Sequence, residues 1–272
     1  MKADEKPIKI KPFNKADVIT KSTILILVLL TIYTFLTLNY QNLNLQKSIP
    51  ETLHNFKVFF FEPQLNHFEF MDIVNSIIAT LGLSVLTTVF GGIVALIFGL
   101  FAAENLSSKT ASNLIKAIVA MIRAVPTIFW VLIFSASIGL GSTSAVIGMS
   151  FHTIGYLMKA YSESFEELDK SVIEALKSSG ASWWQIVIHA VIPSSMTFLI
   201  SWTFIRFEIN FATAVAVSAA AGAEGIGFNL FQAASFYYDL HEAGMITYFI
   251  LFVAFVFEYS STRVKRKLKD HH

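Results

Sequence analysis

The sequence predicts an all-α fold, a polytopic membrane protein with six transmembrane helices. Three observations lead there. Of its 272 residues 54% are hydrophobic, mean hydropathy is +0.61 and only 14% are charged, whereas about a quarter of a soluble domain is charged. Apolar runs of roughly 17–25 residues, the length that crosses a hydrocarbon core, recur along the chain. Sixteen of the twenty basic residues fall in segments that six spans would leave on one side of a bilayer. Together these exclude an ordinary cytosolic enzyme and a disordered chain. The absence of cysteine excludes a disulfide-stapled secreted domain and a thiolate zinc site.

The elements follow in order. Residues 1–21 form a basic segment carrying Lys2, Lys6, Lys9, Lys11, Lys15 and Lys21. The first span runs from Ser22 to Leu38. It is longer than a signal-peptide core and lacks a small-x-small cleavage site, so it is read as a retained anchor. Asn39-Tyr40-Gln41-Asn42 is its polar exit. The stretch to residue 70 is rich in Phe, including Phe56, Phe59, Phe60, Phe61, Phe68 and Phe70, and reads as a packing cap over the bundle, the alternative being an amphipathic piece along the outer membrane interface.

Residues 71–262 hold a core of five further spans: Ile73–Phe101, Leu114–Leu140 with Pro126 inside it, Ser144–Tyr161, Ser195–Ala221 and Gly244–Ser261. A basic tail, 263–272, contains Arg263, Lys265, Arg266, Lys267 and Lys269. The positive-inside rule puts both termini in the cytoplasm of a prokaryotic cell membrane.

The segment 162–193 between the fourth and fifth spans is helical in pattern from Glu166 to Lys177 and should stop at Gly180. A second short helix, Ser182–Ala190, leads into Pro193. Two helices hinged at a glycine make a projecting knob suited to a groove on another protein.

Ionisable groups inside spans are costly and point to function. Thr203, Arg206, Asn210 and Thr213 recur at three- and four-residue spacing, so they share one helical stripe that excludes Glu208. Arg206 offers a planar fork of donors to an oxyanion; pairing with a carboxylate of a neighbouring helix or subunit is the equal alternative. Arg123 and Pro126 read as a hinge at a gate, or as an interfacial Arg reaching for lipid phosphates. Gly222–Gly227 reads as a flexible turn facing outside. Asp239, His241 and Glu242 lack a second His at ligand spacing and read as a solvated loop, with no metal. His152 reads as a packing histidine. No phosphate-binding loop occurs, and no residue is nominated as catalytic.

Glu174-Ala175-Leu176-x-x-x-Gly180-Ala181 followed by Ile192-Pro193 resembles the Glu-Ala-Ala loop of ABC importer permeases, with Leu176, Ala190 and Ile192 as mild departures. Arg123-Ala124-Val125-Pro126, Gly139-Leu140-Gly141, Arg206-Phe207-Glu208-Ile209-Asn210 and Gly222-Ala223-Glu224-Gly225-Ile226-Gly227 are similar to segments of phosphonate permeases, Glu224 replacing a Gly. The resemblance covers about residues 72–268. It implies a type I ABC importer permease fold and import of a phosphonate or related oxyanion. Two partner ATPases would use ATP and Mg and grip the knob through Glu174, Ala175, Gly180, Ala181, Trp183 and Pro193. A second permease copy or paralogue, an extracytoplasmic binding protein and membrane lipid complete the expected partners, with no nucleic acid. An importer of another small solute, an ion-coupled secondary transporter and an intramembrane lipid enzyme are the alternatives.

Overall fold

The computed structural model describes residues 15–38 and 44–269. The first six lysines apart from Lys15 and Lys21, the Asn39–Asn42 exit and the terminal Asp270-His271-His272 lie outside them. The chain forms two units, Met1–Leu53 and His54–His272. In the first lie α1, Lys15–Thr37, with no buried residue, and the start of α2, Leu45–Phe61. Apolar side chains line all sides of α1, from Ile24 to Leu36, as in a helix that meets lipid all round.

The second unit is helical throughout. It comprises the end of α2, then α3 (Phe70–Ala102), α4 (Lys109–Ala124), α5 (Thr127–Ile138), α6 (Ser142–Glu166), α7 (Lys170–Ser178), α8 (Trp183–Ile186), α9 (Ile192–Ala221), α10 (Ile226–Ser235) and α11 (Leu240–Lys269). Among the described residues four helical stretches are long and apolar enough to cross a membrane: 15–37, 70–102, 183–221 and 240–260. Counting α4 and α5 as one broken span makes five, one fewer than the sequence predicts.

Two of the predicted spans take a different form. Leu114–Leu140 is not one rod but two helices bent by 84° at Val125-Pro126. Pro126 has no N–H, so the Ile122 carbonyl four residues back loses its helical donor. The Trp130 indole N–H supplies one instead, at 3.2 Å, and the Trp130 ring stacks on Phe151 of α6. The bend is therefore satisfied and braced. The other departure is α6. It is 25 residues long, about 37 Å at 1.5 Å per residue, yet too polar to count as a span by composition. The reason is its position: α6 packs against α3, α4, α5 and α9, and buries Ser144, Ser150, Thr153, Ser162 and Ser164. A helix enclosed by other helices needs small and hydrogen-bonding side chains for close approach rather than a greasy surface.

The predicted helix Ser182–Ala190 is likewise not separate. After α8, a widened π-helical turn spans Val187–Val191, with the Ile192 N–H reaching back to the Val187 carbonyl. This turn feeds straight into α9, where Pro193 occupies the first turn and its missing N–H costs little. The helical run 183–221 is thus continuous.

Candidate functional site

The elbow between α6 and α9 is built locally. Asp169 caps α7 by accepting the Ser171 N–H at 2.9 Å, which holds its carboxyl below the ordinary Asp range. Gly180 takes φ +85°, a left-handed value that a Cβ would strain. The Ala181 N–H then returns to the Leu176 carbonyl at 3.0 Å. Ser182 and Gln185 form a reciprocal capping box that starts α8.

One side of the elbow is anchored. Ile173 and Ile186 are buried with Leu100, Ala102, Leu106 and Phe165. The Trp183 indole N–H donates to the Leu106 carbonyl at 2.9 Å, and its ring stacks on Phe101 at 5.5 Å. The other side is open: Glu174, Ala175, Gly180 and Pro193 are exposed, and Trp184 is 61% exposed. Of the residues singled out in the sequence, Glu174, Ala175 and Gly180 share the open side of the α7 turn. Ala181 and Trp183 belong to the anchored side, and Pro193 lies in α9.

A second constellation lies inside the bundle. Arg206 is only 2% exposed. Its Nε and one terminal nitrogen donate to Thr153 Oγ1 at 3.2 and 3.1 Å, and that nitrogen also meets His152 Nδ1 at 3.3 Å. The guanidinium lies over the Tyr156 ring. Among the described residues no carboxylate lies within ion-pair distance of it. The pairing with a neighbouring helix that the sequence leaves open is therefore not made among the described residues. His152 is half-buried and belongs to this cluster rather than to apolar packing.

Asn210, one turn on, is wholly buried. It accepts from Thr153 at 3.0 Å and donates to Thr88 of α3 at 2.8 Å. Thr203 meets the Tyr161 hydroxyl at 2.6 Å. Arg206 and Asn210 thus share Thr153 in one network joining α3, α6 and α9, while Thr203 makes a separate link to α6 through Tyr161. Thr213 does neither; among the described residues its hydroxyl bonds the Ile209 carbonyl of its own helix.

Arg123 lies near this cluster. Its side chain crosses Gly155 of α6, where an added Cβ would stand 2.7 Å from Arg123 Cγ. It lines a cavity of about 340 Å³ with Lys116, Lys159, Ser162, Glu163 and Glu166. Lys116 is paired with Glu104 and Glu166 at 3.1 and 3.0 Å, and Lys159 with Glu163 at 3.6 Å. The Lys116 ammonium holds the Glu104 carboxyl below its usual range. Arg123, like Arg206, has no carboxylate in ion-pair reach among the described residues. Pro126 positions the bend next to it and contributes no polar group.

The far end of the bundle corrects two readings. The Gly222–Gly227 turn is packed rather than flexible. The Ile226 N–H donates to Thr80 Oγ1 at 2.9 Å, and a Cβ on Gly227 would stand 1.7 Å from the Val215 carbonyl. Nor is the region of Asp239, His241 and Glu242 a solvated loop. Glu242 is fully buried, and its Oε1 accepts the N–H groups of Asn66, His67 and Phe68 at 2.8–3.0 Å. Its Oε2 meets His67 Nδ1 at 2.9 Å. Asp239 accepts the Asn66 amide at 2.6 Å and the Glu242 N–H at 3.1 Å. No sequence signal marks this clasp, because its two halves are 173–176 residues apart.

Residues 95–269 match the family model of the binding-protein-dependent transport system inner membrane component. Among curated relatives, the phosphate-import permease PhnE of Mycolicibacterium smegmatis is 29% identical over 68% of this chain and 35% of its own length. The phosphite transport permease PtxC of Stutzerimonas stutzeri is 28% identical over 58% of this chain and 57% of its own. The chain thus spans less than two thirds of either relative. Among solved structures, an inward-facing MetNI methionine ABC transporter superposes with a TM-score of 0.67 at 17% identity, covering 75% of this chain and 99% of that one. The helical fold is that of type I ABC importer permeases.

Proposed function

From the premise that this chain belongs to the family of binding-protein-dependent transport system inner membrane components, we propose that it is the membrane-spanning subunit of an ATP-driven importer for a small phosphorus oxyanion. The membership sets aside a secondary transporter and a lipid enzyme. The observation that carries the cargo class is Arg206: a guanidinium buried among helices, held by neutral partners and without a carboxylate in ion-pair reach among the described residues. Such a group keeps unspent attraction for an anion in a low-dielectric setting, and its fork suits a phosphoryl or phosphite face. Arg123, at the neighbouring cavity, is a second anion-attracting point toward the elbow end. The phosphate- and phosphite-import relatives agree with this class.

The open side of the elbow docks a partner ATPase, which binds ATP and Mg. The anchored side transmits the resulting displacement into α3 and α9, shifting the bundle between two packings. The elbow side and both termini face the cytoplasm, and the clasp faces outward, where a binding protein delivers cargo. Two such permease chains and two ATPases make the working unit.

The test is reconstitution with the cognate ATPase and binding protein in proteoliposomes, following ATP-dependent uptake of phosphate, phosphite and a simple alkylphosphonate, with methionine as the competing cargo. Uptake of one of the phosphorus anions is expected, falling at least tenfold in Arg206→Gln with ATPase assembly intact. Uptake of methionine alone, or full phosphorus-anion uptake by Arg206→Gln, would refute the cargo class. Glu174→Lys and Gly180→Pro should insert normally but lose coupling; normal ATP-dependent uptake by both would refute the role of the elbow.

A further inference from the structure

The clasp at the far end of the bundle carries more negative charge than its partners in ion-pair reach balance. Asp239 is nearly buried and Glu242 fully so. Their facing oxygens and His67 Nδ1 all lie within 4.8 Å of one another. Among the described residues no Lys or Arg pairs with either carboxylate; one imidazole, His67, is the only cationic candidate in ion-pair reach. A second imidazole, His241, acts on Asp239 from beyond ion-pair distance and bonds the Glu62 carbonyl instead, so the two carboxylates have no more than one close cationic partner between them. Backbone N–H groups already occupy Glu242 Oε1 and Asp239 Oδ1, and the Asn66 amide donates to Asp239 Oδ2 at 2.6 Å. Glu242 Oε2, Asp239 Oδ2 and His67 Nδ1 converge on one spot.

We propose that His67, Asp239 and Glu242 form a three-ligand site for a divalent transition-metal ion, zinc by preference, that pins the segment before α3 to the start of α11. The geometry fits. Nδ1 to Glu242 Oε2 is 2.9 Å and Nδ1 to Asp239 Oδ2 is 3.8 Å, bracketing the separation of about 3.3 Å between ligands held tetrahedrally around zinc at roughly 2.0–2.1 Å. His67 is 40% exposed, which leaves an entry path and a fourth position for water. An imidazole in the set favours zinc over calcium or magnesium, which take oxygen ligands. The outer parts are fixed as a metal site requires: the His67 ring stacks flat on Tyr237 at 4.1 Å, and the three backbone N–H groups hold the Glu242 carboxylate. The ion would replace the His67–Glu242 hydrogen bond and neutralise both acids. This inference does not depend on the cargo, since it concerns the isolated chain.

The test uses the full purified chain in nanodiscs, stripped of metal and titrated with zinc chloride, with binding followed by calorimetry and metal analysis and stability by thermal unfolding. The background carries His271→Ala and His272→Ala, so that the terminal histidines bind nothing. One zinc per chain is expected, with a rise in Tm on zinc addition. His67→Gln keeps a hydrogen-bond donor toward Glu242 but lacks the imidazole, and Asp239→Asn keeps the shape but lacks the charge. Each should weaken zinc at least tenfold and abolish the zinc-induced rise in Tm while the metal-free fold persists. No stoichiometric zinc in the parent, or unchanged affinity in both variants, would overturn the site and leave the clasp a hydrogen-bonded one.

Discussion

At its Ala102 end α3 meets the elbow, and at its Phe70 end, about 50 Å away by helix rise, it lies beside the clasp. Both contacts tie a connecting segment to the bundle, but by different physics. The elbow is held by apolar burial of Ile173 and Ile186, by the Trp183–Phe101 stack and by one indole hydrogen bond. Such contacts are non-directional and tolerate small displacements. The clasp is held by a buried carboxylate accepting three backbone N–H groups in fixed directions, and hydrogen bonds to a charged acceptor weaken steeply when misaligned. The contrast teaches that the end proposed to transmit motion is greased, whereas the opposite end is locked.

The largest way to break that contrast is Glu242→Ala. It removes the charged acceptor of three backbone N–H groups at a part-buried site, where the low end of about 1–3 kcal/mol each applies, so a loss of about 4 kcal/mol is expected, read as a fall in Tm of the solubilised chain. A negligible fall would mean the clasp is not a lock. Next is Trp183→Ala, which removes a stacked ring and a hydrogen bond and should cost about 3 kcal/mol. Its effect should appear as faster hydrogen exchange across 170–186 with the clasp unchanged. Trp183→Phe keeps the stack and should cost about 1 kcal/mol. Gly180→Ala, comparable in size, adds no steric clash, since a Cβ there meets nothing within 4 Å. Only the left-handed strain remains, about 1–2 kcal/mol, and exchange in α7 should report it.

The smallest effect sharpens the comparison through pH. Burial raises the Asp239 carboxyl, but the Asn66 amide and the Glu242 and His241 backbone donors outweigh it, so its pKa is lowered on balance. The Asp169 cap of the elbow is lowered by the Ser171 N–H. A carboxyl with a depressed folded-state pKa contributes stability that is present above the unfolded value, about 3.9 for Asp, and is lost as pH falls through the folded value. Neither segment should therefore loosen between about pH 8 and pH 5 on account of these two acids. Limited proteolysis at the 62–69 and 167–182 segments measures this; loosening well above pH 5 at either would contradict the assignment.

The legibility of the two ends in the sequence follows the same divide. The elbow was readable because its signals are local: a helical pattern up to Lys177, a Gly180 stop and Pro193. The reading failed there at two places: the helix expected from Glu166 is broken, since α6 ends at Glu166 and the Asp169 cap starts α7 at Lys170, and a π-helical turn fuses α8 to α9. The clasp was unreadable because Glu242 and His67 are brought together by the fold alone. The network around Arg206 lay between these cases. Its spacing on α9 placed Arg206 and Asn210 on one stripe, but Thr153, His152 and Thr88 come from two other helices. Thr213 matched the spacing and still fell outside, since α9 is too long for one neighbour to cover the whole stripe.

Composition and periodicity by themselves determined that the chain is a helical membrane protein, where four of its spans end to within a residue, and that a two-helix elbow precedes α9. These are properties of single helices, fixed by the need to satisfy backbone groups away from water and by the length of an apolar run. Tertiary structure alone decided how sharply α4 and α5 turn at the Pro126 hinge, that a rather polar α6 sits at the centre, and which charges remain without a carboxylate among the described residues. Those outcomes depend on what each side chain meets across the bundle, and a buried charge or orphaned carbonyl has its energy set by that neighbour rather than by its place in the chain.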